Sequence, residues 1–180
     1  MKLFKKLAAA TLAAVLALTM VGCGAGGTGS ALDLKNEVLN AIEDYYYTDN
    51  KTATHMTAMD TAAAELIKNA AADETAKDDK VTVKELLKKN GNGTGNYIAI
   101  FMPYGQLSTE LMQQHYIEAM EGTLEFAIQH GANDEIYNQY DMVKIGSPAI
   151  GEDDPIKIGA ATGKIKDKNY LVLLVKNART

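Results

Sequence analysis

Residues 171–175 read Leu-Val-Leu-Leu-Val, with Tyr170 in front of them. Side chains of a strand alternate between the two faces of its sheet, so a run without a polar position has no face to give to water. The segment is therefore expected to be a central strand, covered on both faces. Supplying two covers takes apolar residues, and hydrophobic side chains make up 47% of the 180 residues. At this length one domain is the default.

Helical periodicity accounts for much of the rest. Leu34, Val38, Ile42 and Tyr45 recur three and four apart and predict a helix over 31–47. Ser30-Ala31-Leu32-Asp33 opens it with capping-box spacing, Asp standing in for Glu. Tyr45, Tyr46 and Tyr47 close it, and three consecutive rings cannot share one helix face, so at least one must leave the core. Met59, Ala63, Leu66, Ile67 and Ala70 predict a second helix over 57–71. The charged stretch from Asp73 to Lys80 reads as a solvated loop. Thr82-Val83-Lys84-Glu85 is a full capping box and opens a short helix with Leu86 and Leu87 inward. Asn90 to Asn96 is turn chemistry, and Tyr97 to Met102 is a buried strand ended by Pro103. A long helix is expected from Ser108 to about His130, with Met112, Tyr116, Met120, Leu124 and Ile128 on one face and Gly131 at its stop.

The period changes after that. Met142 to Ile145 is a short strand, and Ile156–Ile165 with Tyr170–Val175 flanks a turn at 166–169, a β-hairpin. Helices dominate first and strands later, without regular alternation. The fold class is thus α+β, a sandwich with helices packed on a small, mostly antiparallel sheet. It forms a single domain over 31–180.

Charge is uneven along the chain. Three of the 18 basic residues, Lys2, Lys5 and Lys6, lie in the first 23, which hold no acid; the remainder has 15 basic residues against 23 acidic ones, a net of −8. Such a body repels nucleic-acid phosphates and anionic lipid headgroups, and no nucleic-acid partner is expected. Residues 7–21 form an uncharged apolar run, short for a membrane span but right for the core of an export signal. The run ends in Met20-Val21-Gly22-Cys23, which resembles the bacterial lipobox, with Met in place of the usual Leu. Cys23 is the sole cysteine of the chain. The resemblance implies a signal peptide over 1–22, cleavage, and lipidation of Cys23 as the new N-terminus. Residues 23–30 would then be a lipidated cysteine and a flexible Gly-rich leash that holds the domain to the extracytoplasmic face of the cell membrane.

Three strings carry a second resemblance. The capped helix over 82–90 is followed by Gly95-Asn96-Tyr97-Ile98-Ala99; then come His130-Gly131-Ala132-Asn133, and Lys144-Ile145-Gly146 or Lys157-Ile158-Gly159 before the closing hairpin. In order and content they resemble the CAP superfamily, secreted domains related to cysteine-rich secretory proteins and plant pathogenesis-related proteins. The resemblance implies an α-β-α fold around a cavity that, in many members, two His and two Glu line to hold a divalent metal. Asn96 stands where that family has Glu, and no His occurs between His55 and His115. Only His130 falls on a matching position, while Glu118 lies on the helix that often supplies a second Glu. Two ligands fall short of a tight site, so no metal and no cofactor is expected.

Other chemistry is thin. There is no Gly-x-Ser-x-Gly string, and Gly91, Gly93 and Gly95 precede a strand, the reverse of phosphate-loop order. His130 at a helix end suits dipole complementation. His115 and Glu118 share a helix face, and His55 reads as surface. Nine tyrosines, without tryptophan, offer amphipathic rings at layer boundaries or binding surfaces. The expected function is a membrane-anchored lipoprotein with a CAP-like binding or scaffolding domain lacking the metal tetrad. Its tentative ligand-binding groove lies near Asn96, Tyr97, Glu118, His130 and Asn133, and its partners would be a cell-wall component, a peptide or an envelope protein. The alternatives are an envelope hydrolase using His130 and Glu118, and an unrelated lipoprotein interaction domain.

Overall fold

The computed structural model describes residues 31–48, 51–107, 109–130, 137 and 140–179. The leader, the lipobox with Cys23, the leash and Asn133 lie outside the described residues. In chain order the elements are α1 (Ala31–Thr48), β1 (Ala53–His55), α2 (Thr57–Ala72), a 3-10 turn (Glu74–Lys77), α3 (Val83–Gly91), β2 (Tyr97–Tyr104), α4 (Glu110–Gln129), β3 (Met142–Ile145), β4 (Ile156–Ile165) and β5 (Lys168–Asn177).

The five strands form one sheet in the order β1-β4-β5-β2-β3. The all-apolar strand β5 is in the middle, hydrogen-bonded to β4 and β2, as its composition requires. Three of the four pairings are antiparallel, and the edge strand β1 joins β4 in parallel. Alternation along β2 and β5 divides the core in two. Ile98, Ile100, Met102, Leu171, Leu173 and Val175 face α1 and α4. Ala99, Phe101, Val172 and Leu174 face α2 and α3. The fold is α+β, with a helical layer on each face of a mixed sheet.

Several boundaries differ from expectation for identifiable reasons. Strand β2 does not stop at Pro103; it continues to Tyr104. The Phe101 amide donates to Asp141 on the β3 side, so Pro103, two residues on, turns its missing N–H the same way, beyond the last β2–β3 pair, and no ladder bond is lost. The hairpin turn is two residues, not four: Lys168 already pairs with Ile165, and Lys166 takes the left-handed conformation at φ 54°. The stretch after α2 is not a plain solvated loop. Asp73 caps the 3-10 turn through the Thr75 amide and also accepts from Lys89 and Asn90, both at 2.9 Å. The Lys89 ammonium, helped by these other donors, holds the Asp73 carboxyl well below the usual carboxylate range. Strand β1 carries no alternating pattern in its three residues and was invisible to periodicity. Of the three consecutive tyrosines, Tyr46 is buried, Tyr45 is half-buried against Glu125, and Tyr47 is 84% exposed.

Candidate functional site

His130 sits at the C-terminal end of α4. Its Nδ1 lies 3.0 Å from the Phe126 carbonyl, and its ring stacks on Phe126 at 4.2 Å. Phe126 in turn packs on Tyr140 at 4.7 Å. The imidazole thus satisfies a carbonyl of the last turn, where the helix dipole favours a partial positive charge.

Glu118 lies twelve residues earlier on the same helix, about 18 Å away along its axis at 1.5 Å per residue. It accepts from Gln114 at 3.1 Å, and its other oxygen is 3.5 Å from Nδ1 of His115. Both members of the His115–Glu118 pair are roughly half exposed. Asn96 immediately precedes β2, and Tyr97 begins it. The Asn96 side chain accepts from the Ser147 amide at 3.0 Å and so ties the entry of β2 to the exit of β3. Gly146 turns there at φ 65°, directly against the Asn96 amide, and a Cβ at 146 would collide with it. The structure therefore does not bring Glu118 and His130 to one reacting centre, and Asn96 serves as a strand tie.

A denser polar constellation lies elsewhere, and sequence reading missed it. Asp60, in the first turn of α2, accepts from Lys35 of α1, from His55 Nε2 of β1 and from the Ala160 amide of β4, each at 2.9 Å. Burial alone would raise its carboxyl; the bonds from Lys35, Ala160 and His55 together outweigh that and hold it below its ordinary 3.8. His55 is thus half-buried rather than simply surface. Its backbone N–H, which points away from β4, is taken by Glu43 at 2.8 Å, so the outer edge of β1 is blunted. The only foresight available was the helical spacing that put Asp60 in a first turn; Lys35, 25 residues away, carried no signal. The arrangement joins four elements through one largely buried carboxylate.

Strand β4 runs between two contrasting ends. Before it comes Gly151-Glu152-Asp153-Asp154, and around its far turn come Lys164, Lys166 and Lys168 with Asp167. The acidic loop is braced by Asp154, which accepts from Gly151, Asn177 and Arg179. The basic turn is braced by Lys166, which donates to the Asp78 carbonyl at 2.7 Å. At the acidic end Tyr45, Tyr46, Lys51, Glu125, Ile128, Gln129 and Glu152 line a cavity of about 20 Å³, room for one water. Among the described residues no three His, Cys, Asp or Glu side chains are placed to share a metal ion.

No family model matches the chain, and no curated protein and no solved structure matches it either.

Proposed function

We propose that this chain is an exported lipoprotein, anchored by acyl chains on Cys23 at the extracytoplasmic face of the cell membrane, with a CAP-like body that acts as a binding or scaffolding module of the envelope. The observation that carries this reading is the position of the only cysteine, directly after a basic start and an uncharged apolar run, at the end of Met20-Val21-Gly22. Among the described residues no helix is long and apolar enough to cross a membrane. The CAP-like part rests on the order of the three strings and on a three-layer α+β body.

Recognition by surface, rather than turnover in a cleft, is supported by the packing. Leu39, Ile42, Met120 and Leu124 on one side, and Leu86, Leu87 and Ile145 on the other, are 0–2% exposed, so both spaces between helices and sheet are filled. The same filling favours a second reading, an interaction domain unrelated to the CAP superfamily. Partners would be a cell-wall component, a peptide or another envelope protein.

Fractionation of cells expressing Cys23→Ala tests the anchor. The wild-type chain is expected in the membrane fraction and the variant outside it; an unchanged distribution refutes anchoring through Cys23.

A further inference from the structure

The sequence holds two Asn-Gly pairs, Asn90-Gly91 and Asn92-Gly93, back to back between α3 and β2. An asparagine before glycine is the kind most prone to lose its side-chain amide, because glycine has no Cβ to keep its nitrogen away from the Asn side-chain carbonyl. The fold treats the two pairs in opposite ways.

Asn90 is locked. Its Nδ2 donates to Asp73 and to the Leu86 carbonyl, both at 2.9 Å. Gly91 is the last residue of α3, so its nitrogen belongs to the helical ladder. It is also buried against Ile145, whose side chain a Cβ at 91 would meet at 2.6 Å.

Asn92 and Gly93 are both exposed. They are the central residues of a turn closed by Thr94, whose amide and hydroxyl donate to the Gly91 carbonyl at 3.1 and 2.7 Å. Asn92 at φ −59° and ψ 127°, followed by Gly93 at φ 82°, makes it a type II turn. Among the described residues, neither the Asn92 side chain nor the Gly93 amide has a hydrogen-bond partner. A Cβ built on Gly93 meets nothing within 4 Å. For the Gly93 nitrogen to reach Cγ of Asn92, the chain must rotate about the Asn92 Cα–C bond. That rotation is the flip of the central peptide that separates type II from type I turns, and it leaves both Thr94 bonds in place.

We propose that Asn92 is a site of spontaneous deamidation, selected over Asn90 by the fold. The Gly93 nitrogen gives up its proton and attacks Cγ of Asn92. A C–N bond forms, the Cγ–Nδ2 bond breaks, and Nδ2 leaves as ammonia with that proton, so that a succinimide ring remains. Water then opens the ring. Attack at Cγ gives an aspartyl residue at position 92; attack at the backbone carbonyl gives an isoaspartyl link that routes the main chain through Cβ. Either product adds a negative charge just past the C-terminal end of α3, where the helix dipole disfavours it and where Lys88 and Lys89 stand. The isoaspartyl form also lengthens the main chain ahead of Asn96, whose bond to the Ser147 amide ties down the entry of β2. The folded chain thus acquires an irreversible mark of its age, whether or not it is anchored to a membrane.

The test holds purified, folded, full-length protein at mildly alkaline pH in heavy-oxygen water. The peptide that trypsin releases after Lys89 is then read by mass spectrometry with electron-transfer fragmentation, which tells isoaspartyl from aspartyl. Asn92 is expected to lose its amide at least about tenfold faster than Asn90, whose two hydrogen bonds must open first. Each product should carry one heavy oxygen, with the isoaspartyl form in excess. In denaturant the two sites should react at similar rates, since both precede glycine. Equal rates in the folded protein would overturn the proposal. So would a preference for Asn92 that survives unfolding unchanged, because the fold would not be its cause. An aspartyl product without any isoaspartyl form would overturn the ring pathway.

Discussion

The two faces of the sheet are filled by different means. Between the sheet and α1/α4 the core is thick and contains large side chains: Tyr46, Tyr116 and Tyr137 are buried there with Leu39, Met120 and Leu124. Two of these tyrosines satisfy their hydroxyls on backbone carbonyls, Tyr116 on Met102 at 2.9 Å and Tyr137 on Ala127 at 2.7 Å. Between the sheet and α2 the layer is thin. Ala63 and Ala70 face β4, and β4 answers with Gly159 and Gly163, over which Met59 and Ile67 lie. A thick layer is built from apolar volume plus a few hydrogen bonds, while a thin one depends on missing side chains. The thick side should tolerate small changes of shape, and the thin side should not tolerate added volume at its closest point.

That contrast can be broken at four places. The largest effect is expected at Gly159→Ala. A Cβ there would run into the backbone of Met59 and Asp60, which a rotamer change cannot relieve, and the displaced helix would also pull Asp60 off the Ala160 amide. The expected loss is about 3 kcal/mol in denaturant unfolding. A loss under about 0.5 kcal/mol would mean α2 is not seated so closely.

Asp60→Asn comes next, at about 2 kcal/mol, because charge-assisted bonds to Lys35 and His55 are weakened together. The carboxyl is depressed in the fold, so its contribution is present above its unfolded value, near 3.8, and is lost as pH falls through the lower folded value. Wild type should therefore lose stability as pH drops below about 4, and part of that slope should disappear in Asp60→Asn. Identical slopes would remove Asp60 from the clamp.

On the thick side, Tyr116→Phe should cost about 1 kcal/mol: the ring keeps its place, but the buried bond from its hydroxyl to the Met102 carbonyl is lost. The smallest effect is expected at Gly163→Ala, where the new Cβ meets a methyl of Ile67 rather than backbone. That side chain can yield, so the change should stay within about 1 kcal/mol. Equal costs at Gly159 and Gly163 would contradict the account of how α2 sits on β4.

Much of the layering was readable in advance, and the reason is periodicity. Leu171 to Val175 demanded a doubly covered strand, Met59 to Ala70 and Met112 to Ile128 drew their helix faces, and Thr82 with Glu85 formed the capping box expected of them. What escaped was short or set by partners far away in sequence. Strand β1 has three residues and borrows its place from β4 and Glu43. Pro103 reads locally as a stop, yet its position past the last β2–β3 pair lets the strand continue. Asn96 and His130 looked like members of one groove, but each is engaged by its own surroundings, the Ser147 amide and the last turn of α4. Site chemistry depends on which side chains meet across the layers, and spacing along one chain records little of that.

The central claim is that Cys23 carries the body on the membrane. Mass spectrometry of the N-terminal peptide from membrane-extracted protein tests it most directly. A peptide beginning at Cys23, with acyl chains on its sulfur, is the predicted result; a peptide holding Met20-Val21-Gly22-Cys23 intact with a free thiol would contradict it.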